Sequence, residues 1–270
     1  MKQSKLEFGD SAVCVHHQGA HLSSWVYQGK EQLFLSSKAV FEPTKAIRGG
    51  VPICFPQFGA FGPGRAHGFA RNVIWRHVGS LKDDRLLFEL VHDKESIEQW
   101  PYKFKAQFEV TLNGNQLTMA LSVENLSTET IEFTAALHTY FLVDHIKSVA
   151  VKGLEQCEYW DNGAEFNERR HQVVDDLKVS GMIDRVYFHT DKTLTLIDGQ
   201  SVRKISSDGF NDTVVWNPWD KGATAFADMA DDEYQRMLCI ESANVQTPVA
   251  LEQGGVWQGS QQIMVIALES

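Results

Sequence analysis

The feature that most constrains the fold of this chain is a strict alternation of apolar and polar side chains near its middle. Every second residue is apolar over residues 104–112, and the alternation resumes over residues 117–123, after Asn113 and Gly114. Side chains of a β-strand point to opposite faces in turn, and an Asn-Gly pair favours a tight hairpin turn. These two runs therefore predict an antiparallel hairpin with one buried face.

Shorter runs of the same kind, separated by Gly, Pro, Asn and Asp, occupy most of the remaining chain. Together they indicate about fifteen short strands. Only residues 93–100 and 220–230 have a helical pattern, and no composition break or fixed-period repeat marks a domain boundary. We therefore predict an all-β fold, an antiparallel sandwich in which residues 1–270 form a single domain with one or two short helices.

Charge and hydropathy exclude several kinds of partner. The 270 residues carry a formal net charge of −10, which argues against a protein that binds nucleic acid or a membrane surface. No apolar run is long enough to cross a bilayer, and the N-terminus lacks the apolar segment of a signal peptide. Neither heptads nor an apolar stripe suggests assembly. We expect a cytoplasmic monomer that acts on a small molecule.

The sequence contains no recognisable metal or cofactor motif. It lacks GxGxxG and GxxxxGK[ST], and no carboxylate or thiol at ligand spacing accompanies the N-terminal histidines His16, His17 and His21. We assign these histidines to packing or to the surface. The cysteines form no CxxC pair and are predicted to be buried free thiols: Cys14, Cys54, Cys157 and Cys239.

Residues 130–143 carry the most informative histidine. One phase of this alternating stretch is apolar: Ile131, Phe133, Ala135 and Leu137. His138 falls on the opposite phase, with the small residues Thr134 and Ala136. We therefore expect a strand to hold this imidazole on its less apolar face, with room for a ligand. From this pattern alone the histidine is either structural or catalytic.

A long segment, residues 42–72, is rich in Gly and Pro and yet carries the basic residues Arg48, Arg65, His67 and Arg71. Pro and Gly fix turns, and long ordered loops on a β scaffold often bind ligands. The alternative is a covering Ω-loop whose arginines only hydrogen-bond to carbonyl groups.

Four ionisable residues stand out by their positions on predicted strands or near loops: His67, His138, Asp184 and Glu241. Histidine exchanges protons near neutral pH, and an ionised glutamate can act as a base. A His–Glu pair without a cofactor suits isomerisation, epimerisation or mutarotation. Asp184 with Glu241 would instead suit glycoside hydrolysis.

Five motifs strengthen the first of these hypotheses: Arg48-Gly-Gly-Val-Pro, His67-Gly-Phe-Ala-Arg-Asn, Leu137-His-Thr-Tyr-Phe, Val215-Trp-Asn-Pro-Trp and Glu241-Ser-Ala-Asn-Val. In this order they resemble the aldose 1-epimerase-like superfamily, and more closely its hexose-6-phosphate mutarotase branch. The motifs extend over residues 48–245, so the resemblance covers essentially the whole chain. It implies the galactose-mutarotase-like β-supersandwich fold, in agreement with the all-β prediction.

The resemblance also implies roles for the candidate residues. His138 matches the acid that protonates the sugar ring oxygen, and Glu241 matches the base that takes the proton of the anomeric hydroxyl. Four positions match residues that bind substrate: Arg48, His67, Arg71 and Asp184. In the phosphosugar branch, the arginines are expected to hold the 6-phosphate, because a guanidinium fork fits this group well.

Three questions stay open at this point. The substrate could be an unphosphorylated aldose, or the chain could be a carbohydrate-binding domain without turnover. Ala66 stands where relatives often have Gln, and Arg65 could replace that polar contact. Lys221, just after the Trp-Asn-Pro-Trp motif, could add positive charge near a phosphate.

Overall fold

The structure, a computed structural model, describes residues 1–79, 83–162, 169–174 and 176–266. In these residues the chain forms 21 strands and two short α-helices. In chain order the elements are β1 (Gln3–Phe8), β2 (Ser11–His16), β3 (His21–Tyr27), β4 (Lys30–Glu31), β5 (Ile53–Cys54), β6 (Arg76–Gly79), β7 (Arg85–Val91), α1 (Lys94–Gln99), β8 (Phe104–Asn113), β9 (Gln116–Asn125), β10 (Ile131–Leu137), β11 (Tyr140–Leu142), β12 (Val149–Lys152), β13 (Glu158–Asp161), β14 (Arg169–His171), β15 (Leu177–Lys178), β16 (Ile183–Tyr187), β17 (Leu194–Asp198), β18 (Ser201–Asp208), β19 (Asp212–Asn217), α2 (Trp219–Ala225), β20 (Met237–Leu251) and β21 (Val256–Ile266).

The strands form three sheets in which all paired strands are antiparallel. Strands β1 to β4 form a four-stranded sheet in sequence order. An eight-stranded sheet has the order β14-β13-β16-β19-β20-β10-β5, with β11 also paired to β20. A nine-stranded sheet has the order β15-β12-β17-β18-β21-β9-β8-β7-β6. The predicted hairpin is confirmed, because β8 and β9 pair along their full length and Gly114 adopts a φ of 59° at the turn.

The main hydrophobic core lies between the eight-stranded and nine-stranded sheets. Phe108 of β8 and Leu121 of β9 are fully buried in it, together with the apolar phase predicted for β10: Ile131, Phe133, Ala135 and Leu137. Burying each large apolar side chain stabilises the fold by about 1.5–3 kcal/mol. The all-β sandwich is therefore confirmed, although it has more strands than we predicted.

The helices are confirmed in number and corrected in extent. Asp93 caps α1 by accepting a hydrogen bond from the Ser96 N–H. Asp is one of the residues preferred at this position. The second helix ends at Ala225, not at residue 230, and Asp220 lies inside it rather than capping it. The side chain of Asn217 fixes its start by accepting a hydrogen bond from the backbone N–H of Trp219. No helix in the described residues is long and apolar enough to cross a membrane.

Two of the four cysteines are buried, and two are only half-buried. Cys54 and Cys239 are buried free thiols, as predicted. Cys14 and Cys157 are only half-buried free thiols, so the prediction of burial is wrong for them. Cys14 lies in β2 of the four-stranded sheet, and Cys157 directly precedes β13.

Candidate functional site

The candidate site lies on the face of the eight-stranded sheet that points away from the main core. In β20, Ile240 faces the core, and so Glu241 projects to the other side. In β16, Ile183 faces the core, and Asp184 projects away from it in the same manner. We call this outer surface the site face. Alternation along each strand therefore places both carboxyl groups on one surface.

His138 reaches this face from a short gap between β10 and β11. The prediction of one continuous strand over residues 130–143 is wrong at His138 and Thr139. The His138 N–H donates a 3.0 Å hydrogen bond to the Pro52 carbonyl, and the Thr139 hydroxyl bonds to the side chain of Gln261. Because β10 and β11 both pair with β20, the imidazole is still held rigidly against that strand.

His138 and Glu241 are in direct contact. The Nε2 atom of His138 lies 3.3 Å from Oε1 of Glu241, and the two side chains are 10% and 1% exposed. The second polar atom of each group, Nδ1 of His138 and Oε2 of Glu241, is buried and has no hydrogen-bond partner among the described residues. Buried polar atoms are normally paired, so this arrangement is typical of a functional site rather than of a structural ion pair.

Burial controls the proton affinity of this pair. Burial lowers the pKa of His138 well below its usual value, and the proximity of His67, Arg71 and Arg48 lowers it further. Burial raises the pKa of Glu241 well above its usual value, Asp184 adds to this increase, and Arg71 opposes it. The protein therefore disfavours the charged form of both groups and brings them toward a shared proton.

Tyr140 lies against one face of the His138 imidazole ring. Its ring stacks on the His138 imidazole at 4.8 Å between centroids and 10° between planes. Trp216 contacts the same imidazole edge-on at 6.0 Å. An aromatic face this close to an imidazolium stabilises the protonated form and thus partly offsets the effect of burial.

Arg48 is held in place by contacts with three residues: Asp228, Tyr140 and Phe226. Its Nε and Nη2 atoms bind Oδ1 of Asp228 at 3.2 and 3.1 Å, and its Nη1 donates to the Tyr140 hydroxyl at 3.3 Å. The guanidinium also lies 4.2 Å from the centroid of the Phe226 ring. Two of its five N–H groups are not engaged by these contacts, which leaves it able to bind an anion.

The Gly-rich loop brings His67 to the site. Its ring centroid lies 5.7 Å from that of His138, and burial lowers its pKa to about 3. The loop bends sharply here: His67 has a φ of 62° and Gly68 a φ of 68°. A side chain at Gly68 would collide with the Phe55 carbonyl oxygen, at 2.0 Å from its Cβ. This position therefore requires glycine.

Arg71 and Asp184 complete the set of predicted residues. The Arg71 Nη2 donates to the Ala66 carbonyl at 3.3 Å, and its buried Nε has no hydrogen-bond partner among the described residues. Asp184 accepts a 3.1 Å hydrogen bond from Asn162, and burial raises its pKa. Two strand pairings separate Asp184 from β20, whereas His138 contacts Glu241 directly. This geometry favours a His–Glu pair over a pair of carboxylates.

The remaining candidates from the sequence are Arg65, Lys221 and the N-terminal histidines. Arg65 is exposed and lines a cleft of about 640 Å³ together with Trp100 and Tyr102. Lys221 is exposed on α2. His17 bonds to the Ser4 hydroxyl at 3.0 Å. In the described part of the chain no three His, Cys, Asp or Glu side chains are grouped as metal ligands.

Sequence reasoning did not identify three residues that shape the site. Tyr140 lies two residues after His138 and so falls on the same phase of the alternation, a signal that could have identified it. Cys54, which contacts His67, gave no signal beyond its apolar surroundings. Asp228 lies 180 residues from the arginine that it holds, and no local pattern connects the two.

Comparisons with known proteins show which family this chain resembles over most of its length. The family model of aldose 1-epimerase matches residues 3–264. A protein of Cenchrus ciliaris, provisionally named glucose-6-phosphate 1-epimerase, is 37% identical over 263 residues, which cover 91% of this chain and 78% of that protein. A protein of Escherichia coli with the same provisional name is 35% identical over 241 residues, covering 84% of this chain and 77% of that protein.

Solved structures show the same fold. A crystal structure of a provisionally named mutarotase from Salmonella typhimurium has a TM-score of 0.88 at 27% identity, covering 98% of this chain and 94% of that one. A galactose mutarotase related enzyme from Lactobacillus acidophilus has a TM-score of 0.80 at 16% identity, covering 98% of both chains. The supersandwich that the motifs implied is therefore confirmed.

Proposed function

The chain belongs to the aldose 1-epimerase family, and we propose that it interconverts the α and β anomers of hexose 6-phosphates, chiefly glucose 6-phosphate, by ring opening and reclosure without a cofactor. The observation that carries this proposal is the 3.3 Å contact between His138 and Glu241 beside two arginines. The relatives that are provisionally named glucose-6-phosphate 1-epimerases support a phosphorylated substrate.

In the proposed reaction, His138 and Glu241 act on two oxygens bonded to the same carbon. His138 donates a proton to the ring oxygen while Glu241 takes the proton of the anomeric hydroxyl. The bond from C1 to the ring oxygen breaks and the open-chain aldehyde forms. Rotation about the C1–C2 bond then exposes the other face of the aldehyde, and the ring closes on that face as the two proton transfers reverse.

The pair needs no proton from solvent in this cycle. Ring opening leaves His138 neutral and Glu241 protonated, and ring closure restores the starting charges. Both states hold the same number of protons, so the balance between them does not change with pH. Burial stabilises the neutral state, which is the state that accompanies the open-chain intermediate.

The remaining residues are assigned to substrate binding. We propose that Arg48 and Arg71 hold the 6-phosphate, that Asp184 accepts hydrogen bonds from sugar hydroxyls, and that His67 contacts the ring oxygen. Arg48 is already fixed by Asp228 and Tyr140, so little side-chain entropy is lost when a phosphate binds.

We also propose that the protein works as a single-domain monomer in the cytoplasm. A sugar phosphate is charged and does not cross a bilayer unaided, so its epimerase is expected in the compartment where the sugar is phosphorylated.

The proposal is tested by the anomerisation rates of α-glucose 6-phosphate and α-glucose, measured by NMR exchange with and without the protein. We expect acceleration of the phosphosugar only. Arg48→Ala and Arg71→Ala should each raise KM for it by about 10–100-fold and change kcat little, because a charge-assisted contact contributes about 1.5–3 kcal/mol in ground and transition state alike.

A matched control is Arg76→Ala, which removes an exposed arginine from the edge strand β6 and should leave KM unchanged. Equal acceleration of both sugars would discard the phosphate site and leave an aldose 1-epimerase. Saturable binding without acceleration of either sugar would identify a binding domain instead.

The pH dependence of kcat provides a separate prediction about the pair. The active form holds one shared proton, and free groups with pKa values of 4.5 and 6.5 would lose it above pH 6.5. Because burial raises the pKa of Glu241 and lowers that of His138, this form should persist through neutral pH. We expect a plateau across neutrality at saturating substrate, measured from about pH 5 to about pH 9. A steep fall as the pH rises through 6.5 would contradict the assignment.

A further inference from the structure

His67 is anchored on one edge of its ring by two contacts. The Nδ1 atom lies 3.2 Å from Sγ of Cys54 and 3.4 Å from the backbone nitrogen of Gly59. The Gly59 carbonyl also accepts a 3.0 Å hydrogen bond from the His67 N–H, so one residue holds both the backbone and the side chain of this histidine. Cys54 is fully buried in the short strand β5, which pairs with β10.

These contacts determine which ring nitrogen carries the proton. A backbone N–H can only donate a hydrogen bond, so Nδ1 of His67 must accept one and is therefore unprotonated. The Cys54 thiol donates to the same atom, and burial raises its pKa to about 12, which keeps the sulfur protonated. Neutral His67 consequently carries its proton on Nε2.

The geometry points to Cys54 as a positioning residue for the proposed anomerisation, which acts by holding His67 in the Nε2–H form so that His67 presents a fixed hydrogen-bond donor to the sugar ring oxygen. This inference rests on the proposed function for its kinetic consequence. It separates the roles of two histidines whose rings lie 5.7 Å apart: His138 exchanges its proton, and His67 does not.

The arrangement has a clear electrostatic advantage. A second imidazolium beside His138 would repel its positive charge, and both arginines already lower its proton affinity. A neutral donor can polarise the ring oxygen without this penalty. The other edge of the ring, which carries Nε2, is free of the Cys54 and Gly59 contacts and is available to substrate.

The direct test is the tautomer of His67, read from the ¹⁵N chemical shifts of its ring nitrogens in the full-length protein without substrate. We expect the shift of an unprotonated Nδ1 and a protonated Nε2. Protonation of Nδ1 in the wild type would overturn the proposal whatever the kinetics show. This readout also separates the inference from the proposed function, because it does not require turnover.

Two variants test the role of the thiol. Cys54→Ala removes the nearer of the two donors and leaves Nδ1 only the 3.4 Å contact with the Gly59 N–H. We expect a mixture of tautomers and a kcat about fivefold lower, as the loss of about one neutral hydrogen bond implies. Cys54→Ser retains a donor and should restore both the tautomer and most of the rate. Cys14→Ala, which removes a half-buried thiol from the four-stranded sheet, serves as the control for loss of a cysteine.

The outcomes are distinct. A Cys54→Ala variant with the wild-type tautomer and the wild-type kcat would show that the thiol only fills space. Equal loss of kcat in the alanine and serine variants, with the tautomer unchanged in both, would likewise assign Cys54 to packing. Thermal unfolding of each variant identifies loss of fold, and in that case the wild-type tautomer alone decides the inference.

Discussion

Replacing Glu241 with glutamine is expected to lower kcat for glucose 6-phosphate by about 10³-fold, the usual contribution of a positioned general base. The amide has nearly the shape of the carboxyl group and can still contact Nε2 of His138, but it cannot take the proton of the anomeric hydroxyl. The measurement is α-to-β exchange at saturating substrate. Because binding relies on other residues, KM should change little.

The stability of the same variant provides the control. Glu241 has a raised pKa in the folded protein, so its contribution to stability is complete below its unfolded pKa and is lost as the pH rises toward the folded value. At neutral pH the native carboxyl group therefore destabilises the fold, and glutamine removes this cost. We expect a higher Tm than wild type at pH 7 and a smaller difference near pH 4. A variant that is inactive because it is unfolded would show the opposite change in Tm.

The parts of the fold that the sequence predicted well are those with local patterns. The alternation over residues 104–123 depends on side-chain direction within two neighbouring strands, and the hairpin turn lies between them. The same reasoning identified the core face of β10. It was wrong at His138 and Thr139, where the Thr139 N–H turns back to the Leu137 carbonyl, a local turn that the residue pattern did not indicate. The Thr139 hydroxyl is held there by Gln261, far away in the chain.

In the candidate site, too, local patterns predicted some features, whereas others depend on contacts between distant parts of the chain. The phases of His138 and Glu241 could be read from their own strands, but their contact depends on the pairing of β10 and β11 with β20, which no local pattern specifies. The partners that set proton affinity or orientation are equally distant. Tyr140 is near His138 in sequence, whereas Asp228 reaches Arg48 only after the chain has folded.

Replacing His138 with alanine should lower kcat by about the same factor, near 10³-fold, because the ring oxygen then leaves without a proton donor. His67 cannot take over this role, because burial lowers its pKa to about 3 and, among the described residues, no carboxyl group is paired with it as Glu241 is paired with His138. His138→Gln fills the gap beside Tyr140 and should be equally inactive, which separates the loss of the acid from the loss of packing.

The decisive measurement is the double variant His138→Ala with Glu241→Gln. Both proton transfers belong to one step, so removing either residue already prevents the concerted reaction. The double variant should therefore lie within about tenfold of each single variant, rather than showing the product of their losses. A single variant that retains more than about a tenth of the wild-type kcat would show that the two residues do not form the acid–base pair. The shared proton requires both groups, so removing the second residue after the first should lower kcat by no more than about tenfold further.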